Sequence, residues 1–142
     1  MADLPQPGFC RAAAAFAPRL DHRRAGLLAR WDEKLLQRVL GEQERHEFPV
    51  AQGAAFLARR FAAKEATLKA LGTGLRNGIS WGEIQVGHDA LGRPELLLTG
   101  AAQLQLRRCA RRARLWLSLS DEHRYATATV LIEDLAAEVT GE

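Results

Sequence analysis

The chain has 142 residues, a formal net charge of +3 and an ordinary apolar share of 47%. That length suits one domain able to bury a core without staples, and that composition excludes disorder over the whole length. Cys10 and Cys109 follow no metal-ligand spacing and read as free thiols, and no apolar run is long enough for a membrane span. The expected setting is soluble and cytoplasmic.

Residues 1–20 hold three prolines and an alanine run without a clear period. They read as a loosely ordered leader ahead of a single domain over 21–142. Asp21 could cap a helix running to Arg30. Leu35, Leu36, Val39 and Leu40 then show helical spacing, which Gly41 ends. Residues 42–48 are polar, and Pro49 breaks the chain. A long helix is expected from about Gln52 to Leu71, with Gly72 as its stop.

Past Gly72 the period changes from helical to two. The stretch ISWGEIQVGHDALGRPELLLTG reads as two strands around an Asp-Ala-Leu-Gly turn. Residues 100–112 form a basic amphipathic helix. Leu115, Leu117 and Leu119 then alternate with Trp116, Ser118 and Ser120, and YATATVLIED reads as the partner strand across a turn. Helices, hairpin, helix and hairpin in that order define an α+β class, a mostly antiparallel sheet packed on a long central helix.

The long helix carries the chemistry. At about 100° per residue, Leu57, Phe61, Leu68 and Leu71 share a bulky face, while Ala55, Ala58, Ala62 and Ala66 form a small one. Glu65 lies on the seam, one turn before Lys69. Two readings are open: an i,i+4 Glu65–Lys69 pair on the surface, or a metal ligand flanked by lysines that hold an anion. Gly72, Thr73 and Gly74 let a backbone approach a phosphate, although the dipole of a helix C-terminus opposes an anion there.

The run RFAAKEATLKALGTG, Arg60 to Gly74, closely resembles the signature of holo-acyl-carrier-protein synthase, the small phosphopantetheinyl transferase of lipid synthesis. The likeness extends over about residues 27–134, through DALGRPELLLTGAA and LSLSDEHRYATATVLIE. It implies a 4′-phosphopantetheinyl transferase-like fold and a reaction. Phosphopantetheine passes from coenzyme A to a serine of apo-acyl carrier protein, with Mg2+, releasing adenosine 3′,5′-bisphosphate, in fatty acid biosynthesis. Carried over by position, Glu65 is the magnesium ligand and Lys69 binds the diphosphate. Arg60 and Lys64 add positive charge near coenzyme A, Gly72 to Gly74 pass close to the nucleotide, and Gly92-Arg93-Pro94 match a turn near the adenine. The role of Asp121 is open.

Family members begin with a Gly-Ile-Gly-x-Asp-Ile-type strand whose aspartate is the second metal ligand. No such pattern occurs here, and Asp21 is the acid left for that place. The alternative is therefore an impaired relative that binds coenzyme A or carrier protein without turnover. The resemblance further implies a homotrimer with sites between subunits. His22, Arg23, Arg24 and Arg30 are the expected dock for the acidic carrier protein. The arginine clusters lack any nucleic-acid motif, so nucleic acid is not an expected partner, and neither is a membrane.

Overall fold

A computed structural model describes residues 10–18, 33–48, 53–121 and 125–136. In chain order the elements are β1 (Cys10–Pro18), α1 (Glu33–Val39), α2 (Glu42–His46), α3 (Gly53–Leu71), β2 (Ile84–His88), β3 (Pro94–Leu98), α4 (Gly100–Cys109), β4 (Ala113–Asp121) and β5 (Tyr125–Asp134). A 3-10 turn, Trp81–Glu83, leads into β2. The strands form a three-stranded antiparallel sheet in the order β1-β5-β4 and the separate hairpin β2-β3.

β5 organises the core. Its period of two turns Ala126, Ala128, Val130 and Ile132 inward, each nearly inaccessible to solvent. Burying Val130 and Ile132 contributes about 1.5–3 kcal/mol each. β4 pairs along one side of β5, with Leu115, Leu117 and Leu119 half-buried and Trp116 exposed, as the alternation predicts. α3 lies across β1 and β5. Its Ala58, Ala62 and Ala66 share one core with Ala15 and Ala17 of β1 and Ala126 and Ala128 of β5. Alanine against alanine lets helix and sheet approach closely, which is the use of the small face.

Two expectations need correction. The loose leader does not describe residues 10–18, which pair with β5 over nine positions, from Cys10 opposite Glu133 to Pro18 opposite Tyr125. Alanine is a poor strand former, so nothing local announces this strand. Strand propensity reflects fit to neighbours, and here β5 supplies the ladder and α3 a face that only small side chains match. The polar stretch before Pro49 also forms a short helix, α2, whose Glu44 is buried. Asp21, His22, Arg23, Arg24 and Arg30, with the expected first helix, lie outside the described residues.

Among the described residues no helix is long and apolar enough to cross a membrane. Cys109 is a free, buried thiol.

Candidate active site

α3 presents three stripes. Ala58, Ala62 and Ala66 face the sheet. Glu65, Leu68, Lys69 and Gly72, at i, i+3, i+4 and i+7, line a cleft of about 450 Å³ together with Gly74, Leu75 and Trp81. Arg60 and Lys64, one turn apart, form the third stripe and turn inward.

At the cleft, Glu65 is half-buried and Lys69 is exposed. Among the described residues no ion pair joins them. The Lys69 ammonium instead donates to the Ala14 carbonyl of β1 at 3.4 Å. The surface i,i+4 pair of the first reading is thus not formed among the described residues. Gly72 ends α3 in the left-handed region, φ +83°, its N–H shared between the Leu68 and Lys69 carbonyls at 3.0 and 3.1 Å.

The last carbonyls of α3 carry the negative end of its dipole toward this region. Besides a long contact from the Cys109 thiol to Leu71 at 3.7 Å, two side chains from other elements cover them among the described residues. One guanidinium nitrogen of Arg11, on β1, donates to the Ala70 and Leu71 carbonyls at 3.4 and 3.3 Å, and Gln105 Nε2, on α4, donates to Leu71 at 3.2 Å. With Lys69 alongside, the helix end is no longer hostile to an anion.

Arg60 and Lys64 are not cleft residues, contrary to the expectation that they add charge near coenzyme A. Lys64 is 0% exposed. It donates to Glu44 Oε1 at 2.6 Å, to the Trp81 carbonyl at 3.1 Å and to the Ile84 carbonyl. Glu44 also accepts the Gly41 and Val86 N–H groups at 3.0 and 3.2 Å. Arg60 lies 3.5 Å from Glu44 and 3.7 Å from Glu47, its guanidinium 3.4 Å above the Phe56 ring. Burial lowers the pKa of both bases, and the Glu44 carboxylate works against that shift. A helix wheel shows direction but not which neighbour waits there, and Glu44 lies 20 residues from Lys64 in sequence.

The Gly92-Arg93-Pro94 turn joins β2 to β3 and does not line the cleft. Arg93 Nε donates to Asp89 Oδ2 at 2.9 Å, while Asp89 Oδ1 accepts the Leu91 and Arg93 N–H groups at 2.8 and 2.9 Å. The N–H of Arg93 is the main reason that Asp89 has a lowered pKa. Asp121, at the end of β4, pairs with Arg59 at 2.8 Å. Thr73 is half-buried, its hydroxyl donating to the Gly74 carbonyl at 3.2 Å.

Trp81, Leu68 and Leu75 form the apolar part of the cleft. Trp81 packs on Phe61 with ring centroids 5.1 Å apart. Sequence reasoning placed Leu68 on a bulky face and did not single out Trp81 or Leu75. The signal for Trp81 was a large aromatic followed by glycine just past an irregular, glycine-rich stretch.

A carboxylate and a lysine on one helix face, beside glycines and a half-apolar cleft, define a site able to receive a phosphorylated ligand with an apolar arm. The profile described as the ACPS 4′-phosphopantetheinyl transferase superfamily matches residues 21–130. A holo-[acyl-carrier-protein] synthase of Acidithiobacillus ferrooxidans is 58% identical over 113 residues, covering 78% of this chain and 88% of the relative. The crystal structure of holo-[acyl-carrier-protein] synthase from Neisseria meningitidis matches with a TM-score of 0.75 at 35% identity, covering 87% of this chain and 98% of that one. The synthase of Bacillus anthracis in complex with CoA (3′,5′-ADP) matches with a TM-score of 0.66 at 28% identity, covering 87% and 96%. The chain belongs to the 4′-phosphopantetheinyl transferase superfamily, among the holo-acyl-carrier-protein synthases.

Proposed function

We propose that this protein transfers 4′-phosphopantetheine from coenzyme A to a serine of an apo-acyl carrier protein in fatty acid biosynthesis. The observation that carries the reading is the placement of Glu65 and Lys69 on a stripe of α3 that faces a cleft, in a chain of this family. The serine oxygen forms a bond to the phosphorus that bears pantetheine. The P–O bond to adenosine 3′,5′-bisphosphate breaks, and the hydroxyl proton is lost.

Lys69 holds the diphosphate as a mobile point charge, and Gly72 and Gly74 let the backbone come close to it. Leu68, Leu75 and Trp81 take the apolar part of the pantetheine arm. Glu65 is the hard-oxygen ligand for Mg2+ and orients the attacking hydroxyl. No group of three or more acids, histidines or cysteines able to hold a metal occurs among the described residues. That donor set fits magnesium, which is commonly held by one or two carboxylates, substrate phosphates and water rather than by a protein cage. When bound, the cation offsets charge on the diphosphate as it is cleaved.

In this reading the chain is a cytoplasmic homotrimer with sites between subunits. The Gly92-Arg93-Pro94 turn, which does not line its own cleft, then serves the adenine of a neighbour's coenzyme. His22, Arg23, Arg24 and Arg30 dock the carrier protein, and Asp21 is a second metal ligand.

A second reading has its own support: β1 occupies the place of a strand but bears no carboxylate among its nine residues. The protein would then bind coenzyme A or carrier protein without turnover. Intact-mass measurement of an apo-carrier protein incubated with coenzyme A, magnesium and this protein separates the two. A phosphopantetheine mass gain supports transfer. No gain, together with coenzyme A binding by calorimetry, supports the second reading and overturns the first.

A further inference from the structure

The Glu44–Lys64 pair takes no part in the proposed transfer, yet it is the most deeply buried charged contact among the described residues. A buried ammonium is costly, and a hydrophobic residue of similar volume often does as well or better for stability alone. What an apolar side chain cannot do is bind two carbonyls of an irregular segment to a carboxylate on another helix. Lys64 does this, spending one donor on Glu44 and the others on the carbonyls of Trp81 and Ile84.

Those two carbonyls bracket the end of the loop that starts at Gly72. The loop is irregular, with Gly72, Gly74, Asn77 and Gly78 all at positive φ. It supplies Gly72, Gly74, Leu75 and Trp81, four of the seven residues that line the cleft. Its near end is held by α3 itself. Its far end is held by Lys64, one residue before Glu65 on the same helix, and by the Phe61 ring against Trp81.

We infer that Lys64 is a positioning residue: anchored by Glu44, its ammonium fixes the Trp81–Ile84 segment and so keeps Trp81 as the wall of the cleft shared with Glu65 and Lys69. The inference rests on the reading of that cleft as the coenzyme A site. Arg60 is the internal control. It shares Glu44 and is about as deeply buried, but it ties α3 to α2 and its C-cap through Glu44 and Glu47, stacks on Phe56 of its own helix, and makes no bond to the Trp81 loop among the described residues.

The test uses the full chain with Trp31→Phe and Trp116→Phe, which leaves Trp81 as the sole tryptophan of three. In that background Lys64→Met is compared with Arg60→Met by urea unfolding, Trp81 emission, acrylamide quenching, and KM and kcat for coenzyme A. Lys64→Met shifts Trp81 emission to the red and raises its quenching about twofold; it raises KM about tenfold, with kcat within about twofold. Arg60→Met lowers the urea midpoint and leaves the Trp81 signals and KM at parental values. If Lys64→Met merely lowers stability, with Trp81 and KM behaving as in Arg60→Met, the inference is overturned.

Should Lys64→Met not fold, Glu44→Gln keeps the side-chain shape and removes the anchoring charge. It moves the same signals in the same direction, with KM up about threefold, and unchanged signals overturn the inference. A parent without transfer activity sinks the functional reading alone. The coenzyme A dissociation constant then replaces KM, and if the parent binds none, Trp81 emission and quenching still decide the positioning role.

Discussion

Arg11→Met tests whether the alanine-rich segment is the docked strand described here. Arg11 sits opposite Ile132 in the β1–β5 ladder, and one guanidinium nitrogen reaches the Ala70 and Leu71 carbonyls at 3.4 and 3.3 Å and Cys109 Sγ at 3.5 Å. A cation at a helix C-terminus contributes about 0.3–1 kcal/mol. Hydrogen bonds to a charged group reach about 1.5–3 kcal/mol at good geometry, but these are long and leave one nitrogen, so about 1 kcal/mol is appropriate. Methionine keeps most of the apolar stem. Leu71 also retains Gln105 Nε2 at 3.2 Å, so its carbonyl is not orphaned. The expected loss is therefore about 1–2 kcal/mol, a drop of about 3–6 °C in Tm for a chain of this size.

Calorimetry and urea unfolding measure it. Among the described residues the double variant with Gln105→Ala leaves the Leu71 carbonyl with only the Cys109 thiol at 3.7 Å, and should exceed the sum of the single losses by about 0.5–1 kcal/mol. Because Arg11 also offsets the helix dipole beside the cleft, coenzyme A affinity should fall by about two- to fivefold. A stability loss below about 0.3 kcal/mol with strict additivity would refute the docking of β1 onto the end of α3.

Glu65→Gln should abolish transfer while shifting Tm by no more than about 1 °C, since the half-buried carboxylate has no ion-pair partner among the described residues; intact-mass assay and calorimetry on one preparation check both. Ala66→Leu, at a position 0% exposed on the face that meets β1 and β5, should cost about 1–3 kcal/mol by overpacking, read as a lower urea midpoint. Asp121→Ala should cost less than about 1 kcal/mol, because the Asp121 side of the Arg59 pair is solvent-exposed and the Arg59 side is only half-buried.

Acid should destabilise the fold through Glu83 and Asp134. For each, partial burial is the largest single influence and raises the pKa. Hydrogen bonds from Ala102, Ala101 and Ser80 to Glu83, and from Ala136, Arg112 and Arg111 to Asp134, outweigh it and leave both pKa values lowered. A carboxylate with a lowered folded pKa stabilises fully above its ordinary value, here 4.5 and 3.8, and loses that contribution as pH falls through the folded value. Urea midpoints should thus begin to fall below about pH 4.5 and continue falling at lower pH.

Local pattern was enough for several elements. The long helix was legible because its apolar residues recur at helical spacing and Gly72 can take a positive φ at its end. The alternation of Leu115, Leu117 and Leu119 marked β4 as a strand, and its partner β5 was read from YATATVLIED across a turn. That Glu65 and Lys69 share a face was legible too, because side chains four residues apart on a helix lie on one stripe.

What the sequence alone determined, then, was periodicity, stop signals and which α3 residues lie together. Tertiary structure decided the rest: that an alanine run with no strand signature becomes β1, and that Lys64 and Arg60 meet Glu44 rather than solvent or ligand. It also decided that Asp121 meets Arg59, 62 residues away. The reason is physical. Backbone geometry sets where a side chain points within its own helix or strand, but a charge or a small side chain acquires its role from whatever the folded chain brings against it.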